Sequence, residues 1–185
     1  VDVDGLRART RPAIWQSGPG PRFVAAGRLT EQKGFDRLID MMAGTAGTLT
    51  IFGDGPGRAD LEARIRRLDL AGRVTLAAFS TKLSDYIAGA NALLLPSRWE
   101  GMPNVALEAL ACGTPVIATP DAGGIGEIKH LAVAGAVTLA TAGDNFTRTL
   151  ARYPPAAVTE LRPSLLPEAF TLENALAGLH AILAR

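Results

Sequence analysis

The sequence is poor in metal- and disulfide-forming side chains: among 185 residues there are one cysteine, Cys112, and two histidines, His130 and His180. A lone cysteine closes no internal disulfide, and these three residues are too few and too scattered for a zinc set. A reducing, cytoplasmic compartment and no structural metal are expected. An excess of one charge is also missing. The 19 basic and 18 acidic residues are spread along the chain with a formal net charge of +1, so no basic stripe is available to hold a nucleic-acid backbone. The longest nearly apolar run, Leu131 to Ala142, is shorter than the ~20 residues that a membrane-spanning helix needs. No signal-like segment opens the sequence, so no transmembrane segment is expected.

What is present is a chain of single-domain length, 48% hydrophobic, which suffices for a buried core and excludes a disordered chain. From Phe23 onward, short β-rich runs alternate with amphipathic helical patterns. Strands are expected at Phe23 to Arg28, Thr48 to Phe52, Val74 to Phe79, Ala92 to Leu95, Val116 to Thr119 and Ala136 to Ala140. Between them, apolar residues recur at helical spacing: Phe35, Leu38, Ile39 and Met42, then Leu61, Ile65 and Leu68, then Leu83, Tyr86, Ile87 and Ala90. A further helix is expected from about Asn104 to Ala111. Uninterrupted apolar strands alternating with helices imply an α/β fold, a Rossmann-like doubly wound parallel sheet of about six strands. Pro154, Pro155, Pro163 and Pro167 break the region after Tyr153, before a last helix capped by Thr171 with Leu172, Leu176, Leu179 and Leu183 expected inward. Residues 1–20 read as linker, with Gly18, Pro19, Gly20 and Pro21 just before the first strand, and residues 21–185 as the folded domain.

Ligands of an open parallel sheet sit at the carboxyl ends of its strands. The loop after the first strand runs Gly27, Arg28, Leu29, Thr30, Glu31, Gln32, Lys33, Gly34. Its arginine fork and mobile lysine suit a diphosphate, and Gly34 would allow close backbone approach. The plainer reading pairs both cations with Glu31 and Asp36 at the surface. The loop after the fourth strand runs Ser97, Arg98, Trp99, Glu100, Gly101, Met102, Pro103, Asn104 and leads through Val105 to Glu108. Pro103 suits a first helical position, which leaves the Asn104 and Val105 N–H groups free for an anion. Carboxylates accept from vicinal hydroxyls, so Glu100 and Glu108 suit a sugar and a ribose. The competing reading, a capping Glu100 and a solvated Glu108, is weakened by the apolar neighbours of Glu108. A third loop, Thr119 to Glu127, is glycine-rich and offers another close approach.

Other motifs fail. Gly53, Asp54, Gly55, Pro56, Gly57 begins a dinucleotide fingerprint, but Arg58 stands where its last glycine belongs. The pair Asp2 and Asp4 follows no strand and is rejected as a metal site. No Ser or Cys nucleophile has a histidine placed beside it, and His130 and His180 read as structural or solvent-facing.

The segments GRLTEQKGFDRLI, FGDGPGRADLEARIRRLDLAGRV, ANALLLPSRWEGMPNVALEALACGTPVIAT and GGIGEI, within Val24 to about Ile128, occur in the order and at the spacings of a known family. The chain resembles the retaining glycosyltransferases of the two-Rossmann-domain GT-B type, family 4 (glycosyl transferases group 1), in their C-terminal donor-binding half. The resemblance implies that Arg28 and Lys33, with Gly27 beside them, hold the donor diphosphate and that Glu108 holds the ribose hydroxyls. Glu100 with the following backbone, Gly101, Met102, Asn104 and Val105, would hold the transferred sugar. Phe79 and Ser80, with Lys82 close by, would line the base. Two departures stand out: Pro103 replaces a glycine common in the family and removes a backbone donor, for which the Asn104 side chain could compensate, and Ala78 replaces a usual glycine beside the base.

The implied reaction moves a sugar from a nucleoside diphosphate sugar, UDP rather than GDP, to an acceptor hydroxyl with retention and without metal or other cofactor. The implied partners are that donor and an absent N-terminal acceptor-binding domain, through which the enzyme could associate with the inner membrane face. Two rivals remain at this point: a non-catalytic nucleotide-sugar-binding module acting with a partner, and a non-hydrolysing epimerase of the same architecture.

Overall fold

The computed structural model describes residues 1–13 and 20–183, so Gly18 and Pro19 lie outside the described residues. Six strands, β1 (Arg22–Ala26), β2 (Thr48–Phe52), β3 (Val74–Ala77), β4 (Ala92–Leu95), β5 (Val116–Ala118) and β6 (Val137–Leu139), form one sheet in the order β3-β2-β1-β4-β5-β6. Every pairing is parallel. Several observed strands end one or two residues before the expected ones, so that Gly27, Arg28, Ala78, Phe79, Thr119 and Ala140 fall in the loops.

Successive side chains of a strand point to opposite faces, and β1 shows why both faces are covered. Phe23 and Ala25 enter one core with Phe35, Leu38, Ile39 and Met42 of α2 (Phe35–Met42). Val24 and Ala26 enter the other with Ala106, Leu110 and Ala111 of α5 (Asn104–Ala111). The first core also takes Leu61 and Ile65 of α3 (Arg58–Arg67), and the second takes Ile87 of α4 (Leu83–Gly89). The expected doubly wound α/β fold is therefore the observed one. Two short helices, α6 (Ile125–Leu131) and α7 (Asp144–Ala151), add to the expected set and bury Ile125, Ile128, Phe146 and Leu150.

Two segments differ from expectation. Residues 1–13 are not a trailing linker, for α1 (Val3–Arg9) buries Leu6 in the second core. Its Arg7 donates to the Ala111 and Arg162 carbonyls at 2.9 Å each. Asp2 caps this helix by accepting from the Gly5 N–H at 2.9 Å, so it has a structural task. In the last helix, α8 (Leu172–Leu183), three of the four leucines expected inward face outward, Leu172, Leu176 and Leu179 being 48%, 47% and 50% exposed, while the Leu183 side chain lies outside the described residues. Amphipathic spacing says that a face is apolar, not that a core exists to cover it.

Candidate functional site

The chain leaves β1 toward one side of the sheet and β4 toward the other, and these two strands are neighbours. Such a reversal of strand order opens a crevice between the loops that follow the two strands. A cleft of about 560 Å³ occupies it, lined by Ala26, Gly27, Arg28 and Lys33 from the β1 side and by Glu100, Met102, Pro103, Asn104, Val105 and Glu108 from the β4 side. Phe52 at the end of β2, Gly53 and Asp54 after it, and Phe79 and Leu83 form its far wall.

The β1 and β4 loops are tied to each other by polar contacts. Arg37 of α2 donates to the Pro96 and Ser97 carbonyls at 2.8 and 2.7 Å, and the Thr119 hydroxyl donates to the same Ser97 carbonyl at 2.7 Å. Arg98 donates from its N–H to the Gln32 carbonyl at 2.8 Å, and its guanidinium grips both oxygens of Asp36. Those bonds hold the Asp36 carboxyl below the usual carboxylate range, although partial burial works in the opposite sense. Gly34 serves this junction and not the cleft. It sits at φ 66°, and a Cβ there would fall 2.1 Å from the Pro96 carbonyl oxygen, so only glycine lets the loops meet.

Within the cleft, Lys33 Nζ donates to Glu100 Oε1 at 2.5 Å, and the Ser97 hydroxyl donates to the same oxygen at 2.7 Å. Pairing of Arg28 and Lys33 with Glu31 and Asp36 is thus not what forms: Asp36 holds Arg98, and Lys33 holds Glu100. Arg28 is exposed, and its guanidinium has no hydrogen bond or ion pair among the described residues. Glu100 is no helix cap either, since α5 has no side-chain cap.

Pro103 is the cap residue of α5 and not its first helical residue. Its ψ of 86° is off the helical value, so the helix begins at Asn104. The Ala106 N–H turns back to the Pro103 carbonyl at 2.9 Å. The Asn104 and Val105 N–H groups are the first two of the helix and have no intrahelical acceptor. They stand at the cleft beside the positive end of the helix dipole. One turn on, Glu108 is half-buried, and its carboxylate has no hydrogen bond or ion pair among the described residues. Burial pushes its carboxyl above the ordinary carboxylate range, partly offset by the positive charge of Arg9 on α1.

The remaining sequence-named residues fall outside the cleft lining. Ser80 turns its hydroxyl to accept the Lys82 N–H at 3.1 Å, while the neighbouring Phe79, 73% exposed, supplies the apolar wall. The Gly101 carbonyl accepts from the Gly124 N–H at 2.8 Å, so the third glycine-rich loop buttresses the second. His130 and His180 are exposed. Sequence reading gave no task to Ser97, Arg98, Arg37 or Asp54. The loop positions of Ser97, Arg98 and Asp54 were the available signal; Ser97 and Asp54 bond Glu100 and Arg58, three and four positions on, whereas Arg37 and Arg98 find Pro96 and Asp36 59 and 62 positions away.

A family model described as "Glycosyl transferases group 1" matches residues 20–153. The amylovoran biosynthesis glycosyltransferase AmsD of Erwinia amylovora is 36% identical over 100 residues, 52% of this chain and 28% of that protein. Among solved structures, the lipopolysaccharide outer core galactosyltransferase WaaB in its apo form superposes with a TM-score of 0.72 at 25% identity, over 100% of this chain and 52% of that one. Anabaena HepE in complex with UDP does so with a TM-score of 0.61 at 25% identity, over 80% of this chain and 42% of that one. The chain therefore spans well under two thirds of each of these proteins. Among the described residues, no helix is long and apolar enough to cross a membrane.

Proposed function

The chain belongs to the group 1 glycosyltransferases, and on that premise we propose that it is the donor-binding domain of a retaining, family 4 enzyme that moves a sugar from a UDP-sugar to an acceptor hydroxyl. The observation that carries the reading is a cleft in which an unpaired cation, Arg28, and two free helix N–H groups face an unpartnered, half-buried carboxylate, Glu108. Unpaired buried charge is costly and tends to persist where a ligand completes it. A UDP-sugar fits both kinds of group, since its diphosphate takes the donors and its ribose hydroxyls donate to Glu108. A structure of HepE holds UDP, which favours uridine as the base facing Phe79.

In this reading the charge that develops on the leaving diphosphate is stabilised by Arg28, Lys33 and the α5 N-terminus, already in place before the reaction and without a metal. Glu100 orients the sugar and is not a nucleophile, so retention follows from attack on the face of the leaving group. The acceptor, a glycan, a lipid-linked sugar or a small molecule, is read by a further domain. The chain alone then binds donor but transfers little. A cytoplasmic location, with contact to the inner membrane face through that domain, belongs to the same proposal and accords with a single, buried cysteine.

Calorimetric titration with UDP and GDP tests the donor site. UDP should bind, and Glu108→Ala and Arg28→Ala should each weaken it by roughly ten- to hundredfold, because a hydrogen bond to a charged group contributes about 1.5–3 kcal/mol. A chain that binds neither nucleotide, or binds UDP equally well with both substitutions, would defeat the reading.

A further inference from the structure

We propose that the Lys33–Glu100 ion pair makes the cleft discriminate between a nucleoside diphosphate that carries its sugar and one that has lost it. The inference rests on the donor-site reading above and adds a specificity device to it.

Four observations support it. Lys33 and Glu100 come from the two loops that flank the cleft, 67 positions apart, and meet at 2.5 Å with side chains only 20% and 8% exposed. Ser97 is the other donor to Glu100, and both described bonds land on Oε1, which leaves Oε2 without one among the described residues. The lysine stem is also guided into this path. It crosses Gly27, where an added Cβ would stand 3.1 Å from Lys33 Cε. The nearby Arg28 is not engaged in this way, so the two cations of the loop are prepared differently.

A lysine ammonium is a compact point charge, and in the empty cleft that charge is already matched by Glu100. An incoming diphosphate must compete for it. When the phosphate oxygens draw Lys33 away, Glu100 is left in a nearly dry position with Ser97 alone, and stripping one partner from a buried charge is costly. Sugar hydroxyls can donate to Glu100 in place of the ammonium, so a complete donor offsets that cost while the bare diphosphate does not. Once the sugar has been transferred the cost returns, which speeds loss of the spent nucleotide. The free carboxylate of Glu100 is thus both the sugar's anchor and a brake on product binding.

UDP alone is a sufficient probe, titrated into the wild-type chain and its variants, with a thermal melt of each to verify folding. Glu100→Gln should tighten UDP by about fivefold or more, the lower end of usual coupling between sites. Ser97→Ala should weaken it, because Glu100 then depends more heavily on Lys33. In a Lys33→Met background the Glu100→Gln step should change UDP affinity by less than about twofold, as expected when the effect passes through the lysine. Unchanged or weaker UDP binding by Glu100→Gln would overturn the inference. Equal tightening with and without Lys33 would overturn it too, because simple removal of a negative charge then explains the gain. A folded wild-type chain that does not bind UDP would instead bring down the donor-site reading, and the inference with it.

Discussion

Arg98, in the loop after β4, reaches the start of α2 and bonds both carboxylate oxygens of Asp36, each at 2.7 Å. The two residues are 62 positions apart, and their pairing fixes the distance between the loop that carries Lys33 and the loop that carries Glu100. Because the fork-shaped contact is planar and two-pronged, lysine at position 98 cannot reproduce it.

Asp36→Asn should lower the melting temperature at neutral pH by about 2–4 °C, the shift expected from a loss of about 1 kcal/mol in a domain of this size. The folded-state pKa of Asp36 is depressed, so the stability it supplies is present above the unfolded value and is lost as pH falls through the folded one. Melts of both proteins between pH 7 and about pH 3 should therefore converge at the acid end. A gap that stays constant over that range would mean that the carboxylate's charge has no part in the clasp.

Glu108 should behave in the opposite way. Its folded-state pKa is raised by burial, so its charged form opposes folding above that value and ceases to do so as pH falls through it. Glu108→Gln should raise the melting temperature at pH 7, with an advantage that fades in acid, while weakening UDP. UDP affinity of the wild-type chain should also begin to fall above the ordinary glutamate range as pH is lowered, because a protonated Glu108 is a poorer acceptor. A Gln variant less stable than wild type at pH 7 would show that Glu108 has a structural partner.

Gly34→Ala should be among the most damaging single-methyl additions. The new Cβ meets the Pro96 carbonyl at a left-handed φ of 66°, and strain of this kind costs about 1–3 kcal/mol even before the clash. A melting temperature lowered by several degrees and a loss of UDP affinity should appear together, because one contact aligns both loops. Undiminished UDP binding in the variant would show that the loops need not meet there.

Leu179→Ser should leave the melting temperature within about 2 °C of wild type, since substitutions at an exposed position usually stay within about 0.5 kcal/mol. Leu110→Ala, at a position with 0% exposure in the α5 core, should cost about 2–5 kcal/mol. Similar losses from both would show that the α8 stripe is covered.

Local pattern carried most of the fold. The apolar runs of β1, β2, β4 and β5 and the 3.6-residue spacing in α2 and α3 are short-range properties, visible in the sequence wherever both faces of a strand or one face of a helix must be buried. Glu108 one turn from Asn104 was equally legible, because helix geometry alone puts them together. The single buried Leu6 of α1 and the few core residues of α6 and α7 leave too weak a periodicity to read. No pattern in α8 distinguishes a covered apolar face from an open one.

What the sequence by itself determined is the alternating α/β plan and the chemical character of each strand-end loop: cations after β1, carboxylates and a helix start after β4. What only the tertiary structure decided is which of them meet. The order β3-β2-β1-β4-β5-β6 makes β1 and β4 neighbours, and that adjacency joins Lys33 to Glu100 and Asp36 to Arg98 while leaving Arg28 and Glu108 free to face the cleft. Ion pairing depends on distance in space, and residues more than sixty positions apart acquire a distance only when the sheet has formed.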